Sequence, residues 1–237
     1  LGAYHEAILR RYQDLIDVYL TDELMNIHYA VITSAGNLDS VDTNGFKVLN
    51  MLNTKWVILP SQEGANIPVE NPHAMGNAWF VDEILFVNNA DEEIEVLGSI
   101  DLSSVAVADK KYEQILDNFK QGFRPAKADS ASTIMLTDYD SDFLIYSVDA
   151  KKDELAIFSE VYYPKGWQIT IDGEPAEMLR ANYTLRALPI PQGKHTVESI
   201  KVTDRIAYGA LLIMLLTAVV IFINAIKRNK TKIKKDY

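Results

Sequence analysis

The 237-residue sequence predicts an α+β protein, with an N-terminal mixed helix and strand part followed by a β-sandwich and one C-terminal transmembrane helix. Three observations predict it. Apolar residues in the first 127 positions alternate between helical and extended spacing, from about Ala128 onward their period settles at two, and Ile206 to Ile226 contains no Lys, Arg, Asp or Glu. The expected organisation is an α+β part over 1–127, a sandwich over 128–203, a span over 204–226 and a basic tail over 227–237.

Ile8, Leu9, Tyr12, Leu15, Ile16 and Tyr19 recur at helical spacing, with Arg10, Arg11, Asp14 and Asp17 on the opposite, solvated face. Thr21, Asp22 and Glu23 can cap a separate short helix through Tyr29, and Phe46 to Leu52 reads as another. Lys55 to Leu59 reads as a buried strand stopped by Pro60. Ser61 to Gly76, polar and carrying Pro68 and Pro72, reads as a loop, and Asn77 to Val87 as one strong strand. Asp91 is placed as the cap of a short acidic helix, followed by a strand at Val105 to Ala108 and a helix or turn at Lys111 to Phe119.

The period-two part offers seven short strands: Ser132 to Thr137, Phe143 to Val148, Leu155 to Val161, Trp167 to Ile171, Ala176 to Leu179, Leu185 to Pro189 and His195 to Ile200. Asp172-Gly173 has the chemistry of a two-residue hairpin turn, because both central residues of that turn need positive φ. The run from Ile206 then covers roughly 30 Å at about 1.5 Å per residue, enough to cross a bilayer. Lys227, Arg228, Lys230, Lys232, Lys234 and Lys235 follow at once, and basic flanks stay in the cytoplasm, so the main domain is expected outside the bacterial cytoplasmic membrane.

Charge divides at that span. Before Arg205 stand 16 Lys and Arg against 32 Asp and Glu, a net of −16; from Arg205 onward seven face one, a net of +6, and the two make the whole-chain −10. A domain this acidic argues against nucleic acid as a partner, since phosphate backbones require clustered positive charge. The absence of cysteine excludes disulfides, thiolate nucleophiles and thiolate metal ligands. Leu1 to His5 lack the pattern of a signal peptide, and the chain reads as the C-terminal piece of a longer protein.

The segments LGAYHEAILRRYQDLID, VLNMLNTKWVILP, NPHAMGNAWFVDEI, VYYPKGWQITIDG and RANYTLRALPIPQGKHTVE, in this order ahead of a last apolar run, resemble the C-terminal region of YfhO-type bacterial membrane proteins. The resemblance implies a polytopic protein similar to glycosyltransferases of the C superfold, which draw a sugar from a polyprenyl-phosphate carrier and transfer it to a cell-envelope glycan acceptor. The catalytic acid of such enzymes lies on an early outer loop, so no catalytic residue is carried over to this chain.

The candidate binding residues fall into three groups. Tyr162, Tyr163 and Trp167 form an aromatic turn able to stack on a sugar ring, with Arg180, Asn182, Tyr183 and Arg186 on a neighbouring hairpin able to donate hydrogen bonds. The competing reading, weighed above it, is that these residues fix a corner of the sandwich. Near the start, His5, Arg10, Arg11 and Tyr12 could meet the phosphate of a carrier, because guanidinium forks suit phosphate, though a solvated helix face explains them as well. No cofactor is expected. Asp138, Asp140 and Asp142 alternate as ligands of a divalent cation do, yet Phe143 stands where a calcium loop turns on Gly, and a solvated turn explains them better. His5, His28, His73 and His195 share no zinc-ligand spacing, and Asn182-Tyr183-Thr184 matches the N-glycosylation pattern by chance. Two functions therefore stand: a recognition domain of a lipid-linked-sugar glycosyltransferase, or a membrane-anchored glycan- or protein-binding module that catalyses nothing.

Overall fold

A computed structural model describes residues 10–60 and 66–201, together with Met214 and Thr217, both helical. The expected span over 206–226 otherwise lies outside the described residues, as does His5. Among the described residues no helix is long and apolar enough to cross a membrane.

The described residues begin with α1 (Arg10–Leu15), a π-helical stretch (Ile16–Leu20) and α2 (Thr21–Thr33), which run on without a break. The separate capped helix expected at Thr21 is thus absent. Leu20 is helical, and the Thr21 hydroxyl donates to the Ile16 carbonyl at 3.0 Å, serving the wide π turn rather than a cap. Glu23 instead reaches across to α3 (Lys47–Met51), where its two carboxylate oxygens accept the Val48 and Leu49 backbone N–H groups at 3.1 and 2.7 Å. Strand β1 (Trp56–Pro60) pairs antiparallel with β2 (Asn66–Glu70), so part of the expected polar loop is a strand. Its Val69 lies opposite Val57 and packs on the core, and Pro68 sits in a two-stranded sheet where a missing N–H is tolerated.

The strong strand expected over Asn77 to Val87 is two strands that join different sheets. Strand β3 (Ala78–Val81) pairs with β8 (Glu154–Val161), whereas β4 (Glu83–Val87) pairs in parallel with β5 (Val105–Asp109). The switch is Asp82, whose N–H donates to Ser104 O and whose carboxylate accepts the Ala128 N–H, both at 2.6 Å. Between them lies α4 (Ala90–Leu97). Its cap is Asn89 rather than Asp91, with the Asn89 side chain accepting the Glu92 N–H at 2.9 Å. Helix α5 (Glu113–Phe119) follows β5.

The C-terminal part is a sandwich, as its period predicts. One sheet takes β6 (Thr133–Tyr139), β7 (Phe143–Ala150), β9 (Trp167–Ile171), β10 (Glu174–Pro175) and β13 (Gly193–Lys201), in the order β10-β9-β13-β7-β6. The other takes β11 (Leu179–Ala181), β12 (Leu185–Ile190), β8 and β3, in the order β11-β12-β8-β3. Residues 176–178, expected within a strand, only connect β10 to β11. Asp172 and Gly173 have φ of 54° and 84°, as the predicted hairpin turn requires.

The four-stranded sheet is a middle layer, buried on both faces. Leu155, Ile157, Leu185 and Ala187 pack with the helical part, while Ala156, Phe158, Leu188 and Ile190 pack against Tyr146, Val148 and Val197 of the five-stranded sheet. Because β3 belongs to this layer, the sandwich draws one strand from before residue 128.

Candidate functional site

The predicted glycan-binding residues separate into two buried polar clusters and one open aromatic turn. The first cluster ties α1 and α4 to the β11–β12 hairpin. Glu93, wholly buried, accepts Arg11 Nη1 at 3.1 Å and Arg180 Nη2 at 2.9 Å on one oxygen, and the Tyr183 N–H at 3.1 Å on the other. The Arg11 guanidinium lies over the Tyr183 ring at 4.3 Å, and the Tyr183 hydroxyl donates to Asp14 at 2.7 Å. Arg11 and Asp14, expected on a solvated face, therefore turn inward, because Glu93 offers a buried charge that needs a partner. Burial, with the Asp14 carboxylate beside it, pushes the Tyr183 hydroxyl up to about 12. Asn182 is fully buried; its side-chain oxygen accepts the Val107 N–H at 3.0 Å and its own N–H donates to Val107 O at 2.7 Å. Such a residue is closed to glycosylation.

The second cluster bridges the two sheets. Arg186, 3% exposed, donates to Val161 O at 3.0 Å and Ser199 Oγ at 2.8 Å, with its guanidinium 4.8 Å from the Trp167 ring centre. Nearby, the Tyr146 hydroxyl donates to Glu160 at 2.6 Å. Burial raises both the Tyr146 hydroxyl and the Glu160 carboxyl, and lowers the Arg186 guanidinium.

The aromatic turn remains open. Tyr163 is 48% exposed, Tyr162 and Trp167 are half-buried, and Tyr162 meets Tyr112 edge to face at 6.0 Å. Gly166 lies under the Tyr163 ring so closely that a Cβ there would run into it. What this arrangement can do is present one ring, backed by a glycine, to a flat apolar ligand face. Of the expected phosphate group, Arg10 is exposed, Tyr12 is half-buried against the core, and Arg11 is held by Glu93.

Asp138 and Asp140 each accept the N–H of the next residue, and Asp142 pairs with Lys201 at 3.2 Å. Among the described residues no group of three or more His, Asp or Glu is placed to hold a metal ion. His195 pairs with Asp172 at 2.7 Å and His73 with the Leu38 carbonyl at 2.6 Å.

Sequence reasoning missed Glu93, Glu160 and Tyr146. The signal for Glu93 was legible: it stands four residues before the fully buried Leu97, on the same helix face, and a lone carboxylate on an apolar stripe needs a cation. A polar cleft of about 590 Å³, lined among others by Lys47, Asn50, His73, Met75 and Asp101, was also missed. Helix α3 with the turn before it and two loops distant in sequence build it, and no local pattern records that.

Residues 118–213, from α5 through the sandwich and into the apolar run, match the family model described as bacterial membrane protein YfhO. This stretch is similar to that family. The matched stretch contains the hairpin of both arginine clusters, the aromatic turn and the start of the expected span, while Arg11 and Glu93 reach it from the N-terminal part. No curated protein and no solved structure matches the chain.

Proposed function

We propose that this chain is the extracytoplasmic recognition part, with a terminal membrane helix, of a polytopic protein resembling lipid-linked-sugar glycosyltransferases of the bacterial cell envelope. In this reading it helps to position a polyprenyl-phosphate sugar or a glycan acceptor and does no chemistry itself. The observation that carries it is the YfhO match, which runs from the folded sandwich directly into the uncharged segment from Ile206. The basic tail beyond that segment supports a cytoplasmic C-terminus and an outward-facing main domain. Within the sandwich, sugar stacking belongs to Tyr163, with Trp167 at its side. Arg180, Asn182, Tyr183 and Arg186 are engaged with Glu93, Val107, Asp14 and Ser199 and hold the hairpin that precedes and follows Asn182 in place.

The test is a binding screen of the full chain, in lipid nanodiscs, against a polyprenyl-phosphate hexose and a panel of envelope glycans. Specific binding that Tyr163→Ala abolishes without lowering the melting temperature supports the reading. Trp167→Ala is the less clean variant, because its ring also covers Arg186. No binding by a folded chain would sink sugar recognition. It would favour the second reading, a membrane-anchored module for a protein partner, for which Met25, Tyr29 and Ile32 provide an apolar stripe on α2, each more than 60% exposed.

A further inference from the structure

The five-stranded sheet has one end that differs from the rest of the surface. Tyr139 closes β6 at 71% exposure, and Ile200, next to the end of β13, is 48% exposed. Trp167 opens β9 directly opposite Lys201, and Tyr163 lies just before it. Register brings these strand ends together: Tyr139 pairs with Leu144, Ile200 with both Phe143 and Gln168, and the Lys201 N–H donates to Asp142 O at 2.8 Å. Tyr139, Tyr163 and Ile200 are therefore exposed at one end of the sheet, where β13 finishes, and Trp167, half-buried over Arg186, opens β9 at the same end.

Ile206, the first residue of the uncharged run, is five residues beyond Lys201. Even fully extended, that connection reaches at most about 17 Å. If the run spans the membrane, this end of the sheet cannot stand far from the headgroups, where tyrosine and tryptophan are favoured because one part of the ring is apolar and the other can hydrogen-bond to water. We infer that this end of the sandwich, Tyr139, Tyr163, Trp167 and Ile200, seats on the headgroup zone of a zwitterionic bilayer. Its charges fit that lipid class. Asp138, Asp140 and Asp142 share the edge with Lys165 and Lys201, an excess of carboxylate that meets the outermost ammonium of a zwitterionic headgroup and is repelled by an anionic one. The seat also places Tyr163 at the depth occupied by the sugar of a lipid-linked donor. The inference rests on the proposal that 206–226 crosses the membrane.

The chain has no cysteine, so single labelling sites can be introduced cleanly. Tyr139→Cys and Ile200→Cys, each in the full chain in phosphatidylcholine nanodiscs, would carry an environment-sensitive fluorophore. Lys194→Cys, on the same strand as Ile200 but about 20 Å away, is the control. Quenching by headgroup-labelled lipid is expected to be several-fold stronger at 139 and 200 than at 194, and to weaken when phosphatidylglycerol replaces part of the lipid. Equal quenching at all three sites overturns the seat. Carbonate extraction separates the two failures: a chain that resists extraction but shows equal quenching is membrane-spanning without this contact, whereas a chain washed off by carbonate overturns both readings.

Discussion

Glu93 is the residue on which the packing of α1 and α4 against the sandwich turns. Two guanidiniums share one of its oxygens at 2.9 and 3.1 Å, in a site with no exposure of the carboxylate. Attraction between such charges offsets their lost hydration only while both signs are present, and deleting one partner of a buried pair costs about 3–5 kcal/mol. Glu93→Ala is therefore expected to lower the melting temperature sharply, whereas Lys120→Ala, which breaks an exposed pair with Asp153, should change stability by about 0–1 kcal/mol. Thermal unfolding of the two variants side by side checks the contrast. Gly166 acts differently. The Tyr163 ring above it is half exposed, so Gly166→Ala should displace the ring and reduce sugar binding while leaving the unfolding midpoint close to that of the parent chain. Unchanged binding in that variant would remove Tyr163 from the recognition surface.

At the scale of elements, the contact between α2 and α3 is a carboxylate set against two backbone N–H groups. Burial pushes the Glu23 carboxyl up to about 7, although the Leu49 and Val48 bonds and Lys47 pull the other way. In the unfolded chain the same group releases its proton near 4.5. Between those values the folded protein holds more protons than the unfolded one, so Glu23 makes stability fall as pH rises from about 4.5 to about 7. Glu23→Gln should flatten that part of the profile, at the cost of one acceptor, and melting curves at about pH 5 and about pH 8 read the difference. A parent chain with no decline, or a variant that keeps it, would contradict this account. The Asp172-Gly173 turn was readable from two letters because positive φ is a local demand. The π turn before Thr21 was not, because its cause is the burial of Leu15, Leu20 and Glu23 on one continuous helix rather than any capping residue.

Across the whole molecule, the middle sheet holds the helical part and the outer sheet together, and β3 is the strand that makes the sandwich depend on residues before 128. Ala78 to Val81 cover the edge of β8 from Leu155 to Phe158. A chain beginning at residue 128 leaves that edge and the buried faces of Leu155 and Ile157 open, and it should aggregate, whereas a chain that retains β3 and the helical part stays dispersed. Light scattering of the two products decides this, and a stable, monodisperse shorter chain would show that β3 is dispensable.

Features whose physical cause is local or compositional are legible in the residues alone. Period-two patterning marked the sandwich strands, positive-φ chemistry marked the hairpin turn, and the split between an acidic domain and a basic tail set the expected relation to a membrane. Which charges lie inside depends on contacts that form on folding. Arg11, Arg180 and Arg186 read alike as surface donors, yet each is held by a partner far away in sequence or across the sheets, at Glu93, Tyr183, Ser199 or Trp167. Burial of a charge depends on whether a counter-charge arrives from another element, and that pairing has no period and no spacing along the chain. The same reason explains why Asn77 to Val87 read as one strand: its apolar residues were plain, but the change of partner at Asp82 is fixed by Ser104 and Ala128, which only folding brings near.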